Sequence, residues 1–570
     1  MSSDTLIDAS WLDYLLVAIY FAFVLGIGVM ARRSVSDSID FFLSGRSLPA
    51  WVTGLAFISA NLGAVEIMGM SANGAEIGLP TVHYFWVGAV PAMLFLGVVM
   101  MPFYYGSKVR SVPEFMFRRF GTGAHLVNAV SFAVAQLLIA GVNLALLAGI
   151  VSALLGWPTW IALIVAAVIV LSYITLGGLS AAIYNEVLQF FVIVAALTPL
   201  TLIGLNRVGG WGGLTDKITE AASSTPASAE VASAEQQLNS WPGQALAGFD
   251  SGLLSVIGIV FGLGFVLSFG YWTTNFVEVQ RAMASNSISS ARKTPIIGAF
   301  PKMFIPFIVI VPGMISAVLV KEMIDLKGGG TPSGGASGDV TYNDALLLLM
   351  RDVLPNGLLG LAIAGLLAAF MAGMAANISA FNTVFSYDLW QRYIRKDHTD
   401  DYYLRIGRLA TVAATVIAIF TAQIAMGYDN VMNYLQTLFG FFNAPLFATF
   451  ILGMFWKRMT PTAGWVGLVF GTLSAIAVDR LAAAGVIDLP GQGAAFLAAS
   501  TAFVVDIVLS VIVSLVTKPK PASELKGLVY SETPKEDLVD PDEASYPWYR
   551  RTIPLAGIAL ALVVALNFAF

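Results

Sequence analysis

Cysteine is absent from the 570 residues, which excludes disulfides, thiolate metal sites and cysteine nucleophiles. Charge is scarce: only 11% of residues are Asp, Glu, Lys or Arg, against about 25% in a soluble domain. Histidine is limited to His83, His125 and His398; they lie far apart and near predicted helix ends, so a histidine metal cluster is not expected. Neither a Ser-His-Asp pattern, an HExxH motif nor a phosphate loop stands out, which argues against a membrane hydrolase or an ATP-driven pump. A net charge of −5 without a basic tract gives no reason to expect a nucleic-acid partner.

The chain is instead rich in hydrocarbon. Hydrophobic residues make up 57% of it and the mean hydropathy is +0.79, with 54 glycines and 37 phenylalanines, the composition of a multi-pass integral membrane protein. A bilayer crossing needs about 20 apolar residues. Suitable windows fall near 11–31, 51–75, 80–104, 124–155, 158–178, 182–205, 252–275, 297–321, 357–389, 405–427, 431–455, 462–484, 494–517 and 553–570. The first is not expected to be a signal peptide, because Asp4 and Asp8 precede it and Arg32 and Arg33 follow it. With the N-terminus outside, 23 of the 30 basic residues fall in inside loops. The positive-inside rule therefore predicts fourteen helices with both termini outside, in the cell membrane. Residues 518–550, acidic and proline-containing, read as an inside tether, and 551–570 as a last helix.

Two windows carry polar or glycine-rich sequence near their middle: "SANLGAVE" in the second and "LSFGYWTTN", 267–275, in the seventh. They are five windows apart. That is the spacing of a five-helix unit repeated in inverted orientation, each unit opening on a broken helix, over about residues 49–455. Broken helices at membrane depth are tolerated around a cavity, and an ionisable residue there is a functional candidate, so Glu66 is expected to line one. Gly54, Gly63 and Gly69 read equally as packing contacts. Lys302, about six residues into its window, fits either a cavity group or a side chain snorkelling to the interface. Gln436 and Asn443 are packing hydrogen bonds or cavity groups; position does not separate the two.

Four blocks, "DFFLSGRSLPAWVTGLAFISAN" (40–61), "YITLGGLSAAIYNEVLQFF" (173–191), "YWTTNFVEVQRAMAS" (271–285) and "FILGMFWKRMTPTAGWVG" (450–467), resemble the sodium/solute symporter family, in its sodium/galactose branch, over about residues 10–517. The resemblance implies an all-α leucine-transporter-type fold, two inverted five-helix repeats, and alternating access to a mid-membrane site. It implies solute contacts at Asn61, Glu66, Phe85, Gly88, Ser268, Lys302 and Gln436, an inner gate at Tyr271, and an outer gate at Met70, Tyr84 and Met432. Sugar-transporting members have a glutamate at the position of Phe85, a serine at Gly88, an asparagine at Ser268 and a neutral Gln or a His at Glu66. The acceptor for hydroxyls has thus moved between neighbouring helices. A sugar or polyol remains the expected solute, with an amine-bearing or carboxylate solute as the alternative.

For sodium the resemblance implies backbone ligands at Ser59, Leu62 and Ala369 and two hydroxyl positions that here are Ala372 and Gly373, neither of which coordinates. Asn377 or Ser379 are the substitutes in reach, and Glu186 is the exit-side carboxylate. Two ion readings are open: sodium, which the family implies, or a proton carried by Glu66. An uncoupled uniporter or sensor is the third alternative. Beyond solute, cation and lipid, no obligate protein partner is indicated, and the chain is not expected to be an enzyme.

Overall fold

Backbone N–H and C=O groups find no water in a hydrocarbon layer, so long apolar segments close their hydrogen bonds internally as helices. The computed structural model describes all residues except 1–5, 33–43, 64, 225–231, 336–337, 429, 488 and 490–491. It is helical throughout, apart from a two-stranded ribbon, Ser333–Gly335 with Gly338–Asp339. Residues 40–43, part of the first family-like block, lie outside the described residues.

In chain order the apolar helices are α1 (Trp11–Arg32) and the pair α2 (Ala50–Asn61) and α3 (Val65–Glu76), bent by 57°. Then come α4 (Leu79–Gly106), α5 (Thr122–Leu155), α6 (Thr159–Val208), α7 (Gly252–Thr274), α8 (Phe276–Met283) and α9 (Ile288–Leu319). The remainder are α10 (Leu358–Ile394), α11 (Asp400–Ala425), α12 (Val431–Phe455), α13 (Pro461–Ala483), α14 (Gly493–Val516) and α15 (Thr552–Ala569). Eleven of these helices are long and apolar enough to cross a bilayer alone, and the bent pair makes a further span. The windows 158–178 and 182–205 come together in α6, whose 50 residues, about 75 Å at 1.5 Å per residue, exceed one bilayer crossing.

Three expectations change. The polar stretch 267–275 does not break its helix in the middle: the helical path runs through Phe269–Thr274, and the chain turns extended at Asn275 (ψ 117°). Asn275 Oδ1 then accepts from Val277 N at 3.0 Å and so starts α8. Gly270 within that stretch is a contact, since a Cβ there would stand 2.8 Å from the Asn443 carbonyl oxygen. Second, α9 begins at Ile288, nine residues before the apolar window, because Ser289, Arg292 and Thr294 are buried rather than wet. Lys302 therefore sits about 21 Å into the helix, too deep to reach the inside interface.

Third, the segment 518–550 is a strap packed against the helices rather than a loose tether. Tyr530 packs on Phe103 and Phe455 at 5.5 Å, Asp540 Oδ2 accepts from Ser289 N, and Glu543 lies 3.5 Å from Arg292. Burial pushes the Glu543 carboxyl up, but the hydrogen bonds from Thr552 and the charges of Arg292 and Lys293 outweigh it and hold it below the ordinary range. An acid held low contributes stability above about pH 4.3 and loses it as pH falls. The strap is therefore expected to stay docked at pH 7 and to loosen progressively as pH falls below about 4.3 toward the depressed value of Glu543, which limited proteolysis between residues 520 and 550 checks.

Candidate functional site

The two broken helices meet at a cavity. Asn61, the last residue of α2, donates from Nδ2 to the Tyr271 hydroxyl at 3.1 Å, and that hydroxyl donates to Glu278 Oε1 at 2.8 Å. Lys302 Nζ donates to Glu66 Oε1 at 2.5 Å and to Asn61 Oδ1. One hydrogen-bonded chain thus runs from α3 through α9 and α2 to α7 and α8. The Lys302 ammonium is 1% exposed and the Glu66 side chain 12%, so the carboxylate, not the amine, has a face left for the cavity.

The cavity holds about 820 Å³ of space between atoms, open solvent included. Asn61, Glu66, Ser268, Lys302 and Gln436 line it, and so do Met70, Tyr84, Tyr271 and Met432, the residues expected from sequence to form gates. Ser268 and Gln436 are nearly buried and make no hydrogen bond to another described residue, so both keep their donors and acceptors for a solute. Phe85 and Gly88 are not part of the lining. Phe85 instead puts its ring 4.8 Å from Lys302 Nζ, with Trp272 at 5.1 Å, a cation–π seat for the ammonium. A Cβ on Gly88 would stand 2.3 Å from Ser268 Oγ, so glycine there makes room for that serine. Asn443 lies outside this cavity.

Gly54, Gly63 and Gly69 are all close approaches: a Cβ would meet Ile297 at 2.9 Å, Gly373 Cα at 3.1 Å and Met432 at 2.7 Å. Ser59 and Leu62, at and just past the end of α2, are buried, as are Ala369, Ala372 and Gly373 on α10, and Gly373 also lines the cavity. Asn377 lines it too, whereas Ser379 does not. Glu186 is fully buried against Arg281 at 2.6 Å. A guanidinium already neutralises this carboxylate from α8, a bidentate contact through Nε and Nη2. Two lining residues, Asn143 on α5 and Asn275 at the second break, were not singled out from sequence. Among the described residues no group of three or more His, Asp or Glu could hold a transition metal.

The Tyr271 hydroxyl joins both breaks, and its ring packs against Phe439, centroids 4.8 Å apart and planes tilted by 45°. Tyr271→Phe keeps the ring and leaves Asn61 and Glu278 each short of a partner, at about 1–3 kcal/mol per buried group. Apparent solute affinity is expected to fall about tenfold, read from the concentration dependence of uptake.

An all-helical membrane bundle with two chain breaks facing an ion-paired cavity is the architecture of a membrane transporter. The chain belongs to the sodium:solute symporter family, which matches residues 41–471. It is 28% identical over 473 residues to the "Sodium/glucose cotransporter" of Vibrio parahaemolyticus, covering 81% of this chain and 83% of that protein. It is also 28% identical to "Sodium/glucose cotransporter 1" of Oryctolagus cuniculus, over 93% of this chain and 83% of the relative. A solved structure of a Na+-coupled sialic acid symporter shares the fold, with a TM-score of 0.71 at 19% identity over 90% of this chain and 99% of that one.

Proposed function

We propose that the protein is a sodium-coupled symporter that brings a small polyhydroxylated solute, a sugar or polyol, across the cell membrane by alternating access. The observation that carries this reading is the chain Glu66, Lys302, Asn61, Tyr271, which spans both broken helices and lines the cavity together with Ser268 and Gln436. Glu66 supplies acceptor oxygens for hydroxyl donors, and Ser268 and Gln436 supply a mixture of both. The expected inverted repeats, opened by α2/α3 and α7/α8, turn this into a transport cycle: the solute ties the two breaks together, and rocking of one repeat against the other moves access from outside to inside. Sodium drives the cycle only as far as it binds the outward state more tightly than the inward one.

Sodium is favoured over a proton on Glu66 because that carboxylate has its countercharge in Lys302 at 2.5 Å. The expected orientation, with fourteen helices and both termini outside, places the strap in the cytoplasm. The test is uptake of labelled sugars, polyols and amino acids into proteoliposomes under an imposed sodium or proton gradient at matched membrane potential. Accumulation of a sugar or polyol with sodium alone is the expected result. Accumulation with protons alone would move the coupling to Glu66; counterflow without accumulation would make the protein a uniporter; and amino-acid uptake would replace the solute class.

A further inference from the structure

Asn143 Oδ1 is one polar atom beside the cavity that the solute reading leaves unused. Asn143 lies on α5 and is 3% exposed. Its Nδ2 donates to the Ile139 carbonyl at 3.1 Å, which fixes the amide: turned over, it would set two oxygens against each other. Oδ1 then has no donor among the described residues, at a cost of about 1–3 kcal/mol for a buried acceptor left alone.

That oxygen faces the seam between α2 and α10. A Cβ on Gly373 would stand 2.8 Å from it and 3.0 Å from Gly63 Cα, and a Cβ on Gly63 would stand 3.2 Å from it. It therefore occupies space that any side chain at 373 would need. At the same place α2 ends, the Leu62 N to Ile58 O bond being its last, and the carbonyls of a helix's last turn lack partners along the helix. Ser59 Oγ, fully buried, is also unpaired. Asn377, one helical turn beyond Gly373, lines the cavity without a hydrogen bond to any described residue.

We propose that Asn143 is a side-chain ligand of the coupling cation, its amide oxygen acting where Ala372 and Gly373 offer none. Neutral carbonyl oxygens suit a hard cation, and the glycines at 63 and 373 let the oxygen reach the break. The proposal rests on the sodium reading above.

The test uses purified full-length protein and measures the thermal midpoint against sodium concentration, with choline holding ionic strength, and sodium-dependent binding of whichever labelled solute the uptake panel identifies. Asn143→Leu keeps the volume and removes the oxygen; the sodium concentration for half-effect is expected to rise at least tenfold. Asn143→Asp keeps an oxygen in place and should stay within a few fold of wild type or bind more tightly. If the leucine variant does not fold, Asn143→Ala takes its place in the comparison with aspartate. A wild-type sodium response in the leucine or alanine variant overturns the proposal, as does a variant that loses solute affinity at saturating sodium with its sodium half-effect unchanged. A wild-type protein indifferent to sodium overturns the sodium reading itself, and the proposal with it.

Discussion

Glu66→Gln is expected to abolish solute uptake and to cost about 3–5 kcal/mol of stability, the loss typical of breaking a buried ion pair. The Lys302 ammonium is 1% exposed. In the variant it retains oxygen acceptors at Asn61 and at the new amide, but no countercharge. Lys302→Met should be equally costly, because it strands Glu66 in the same cavity. The double variant removes both charges and should recover most of the stability, since a buried pair replaced by neutral groups is often close to neutral. It should not recover uptake: in our reading the carboxylate is the solute's acceptor and the lysine fixes its position and that of Asn61. Thermal midpoints of the four proteins give the coupling between the two residues, and uptake is read in parallel. Single variants that each lose less than about 1 kcal/mol would show the pair to be water-screened and the site reading wrong. Full uptake in Glu66→Gln would remove Glu66 from the solute site.

The legible part of this site was the part that offends the membrane. Glu66 stood out because a carboxylate in an apolar run requires a partner. Its partner was harder to see. Lys302 looked able to snorkel because hydropathy started the helix at 297, whereas the buried serine, threonine and arginine side chains of Ile288–Lys302 carry the helix inward from 288. The second break was placed in the right segment, 267–275, but nearer the middle of the helix than it lies: glycine and serine at 268–270 continue the helix, and the extended backbone falls on Asn275 at the end of the stretch, whose side chain caps α8. The missing hydroxyls at 372 and 373 were readable as an absence. Asn143 was not readable, because an asparagine in "IAGVNLALLAG" has nothing in sequence to distinguish it from a packing hydrogen bond; only the approach of Gly63 and Gly373 from two other helices gives its oxygen a role. The docking of the strap was hidden for the same reason, its partners lying more than 70 residues away in sequence.

Gly313→Val is expected to be at least as disruptive as loss of the ion pair, although residue 313 touches no solute-site residue. The second half of the first broken helix, α3, crosses the second half of α9 almost backbone to backbone. A Cβ at Gly313 would lie 1.9 Å from the Ser71 carbonyl oxygen, and a Cβ at Gly74 would lie 2.3 Å from the Ile310 carbonyl oxygen. Neither obstacle is a side chain that can turn aside; the helices themselves must separate. Such overpacking costs about 1–3 kcal/mol in an ordinary core and more where backbone resists. The two glycines act as a reciprocal pair, the close-packed crossing that small residues permit between membrane helices. The consequence reaches the site because α3 carries Glu66 in its first turn and α9 carries Lys302 four residues before the stretch that makes this crossing begins at Pro306. Pushing the helices apart by even an ångström lengthens the 2.5 Å Lys302–Glu66 contact and loosens the cavity wall that α3 forms. Gly313→Ala should therefore lower the thermal midpoint and reduce uptake at least tenfold, and Gly313→Val should prevent recovery of folded protein. Cell-surface yield and the thermal midpoint separate those two outcomes, and an alanine variant with wild-type midpoint and uptake would mean that the crossing is looser than this packing requires.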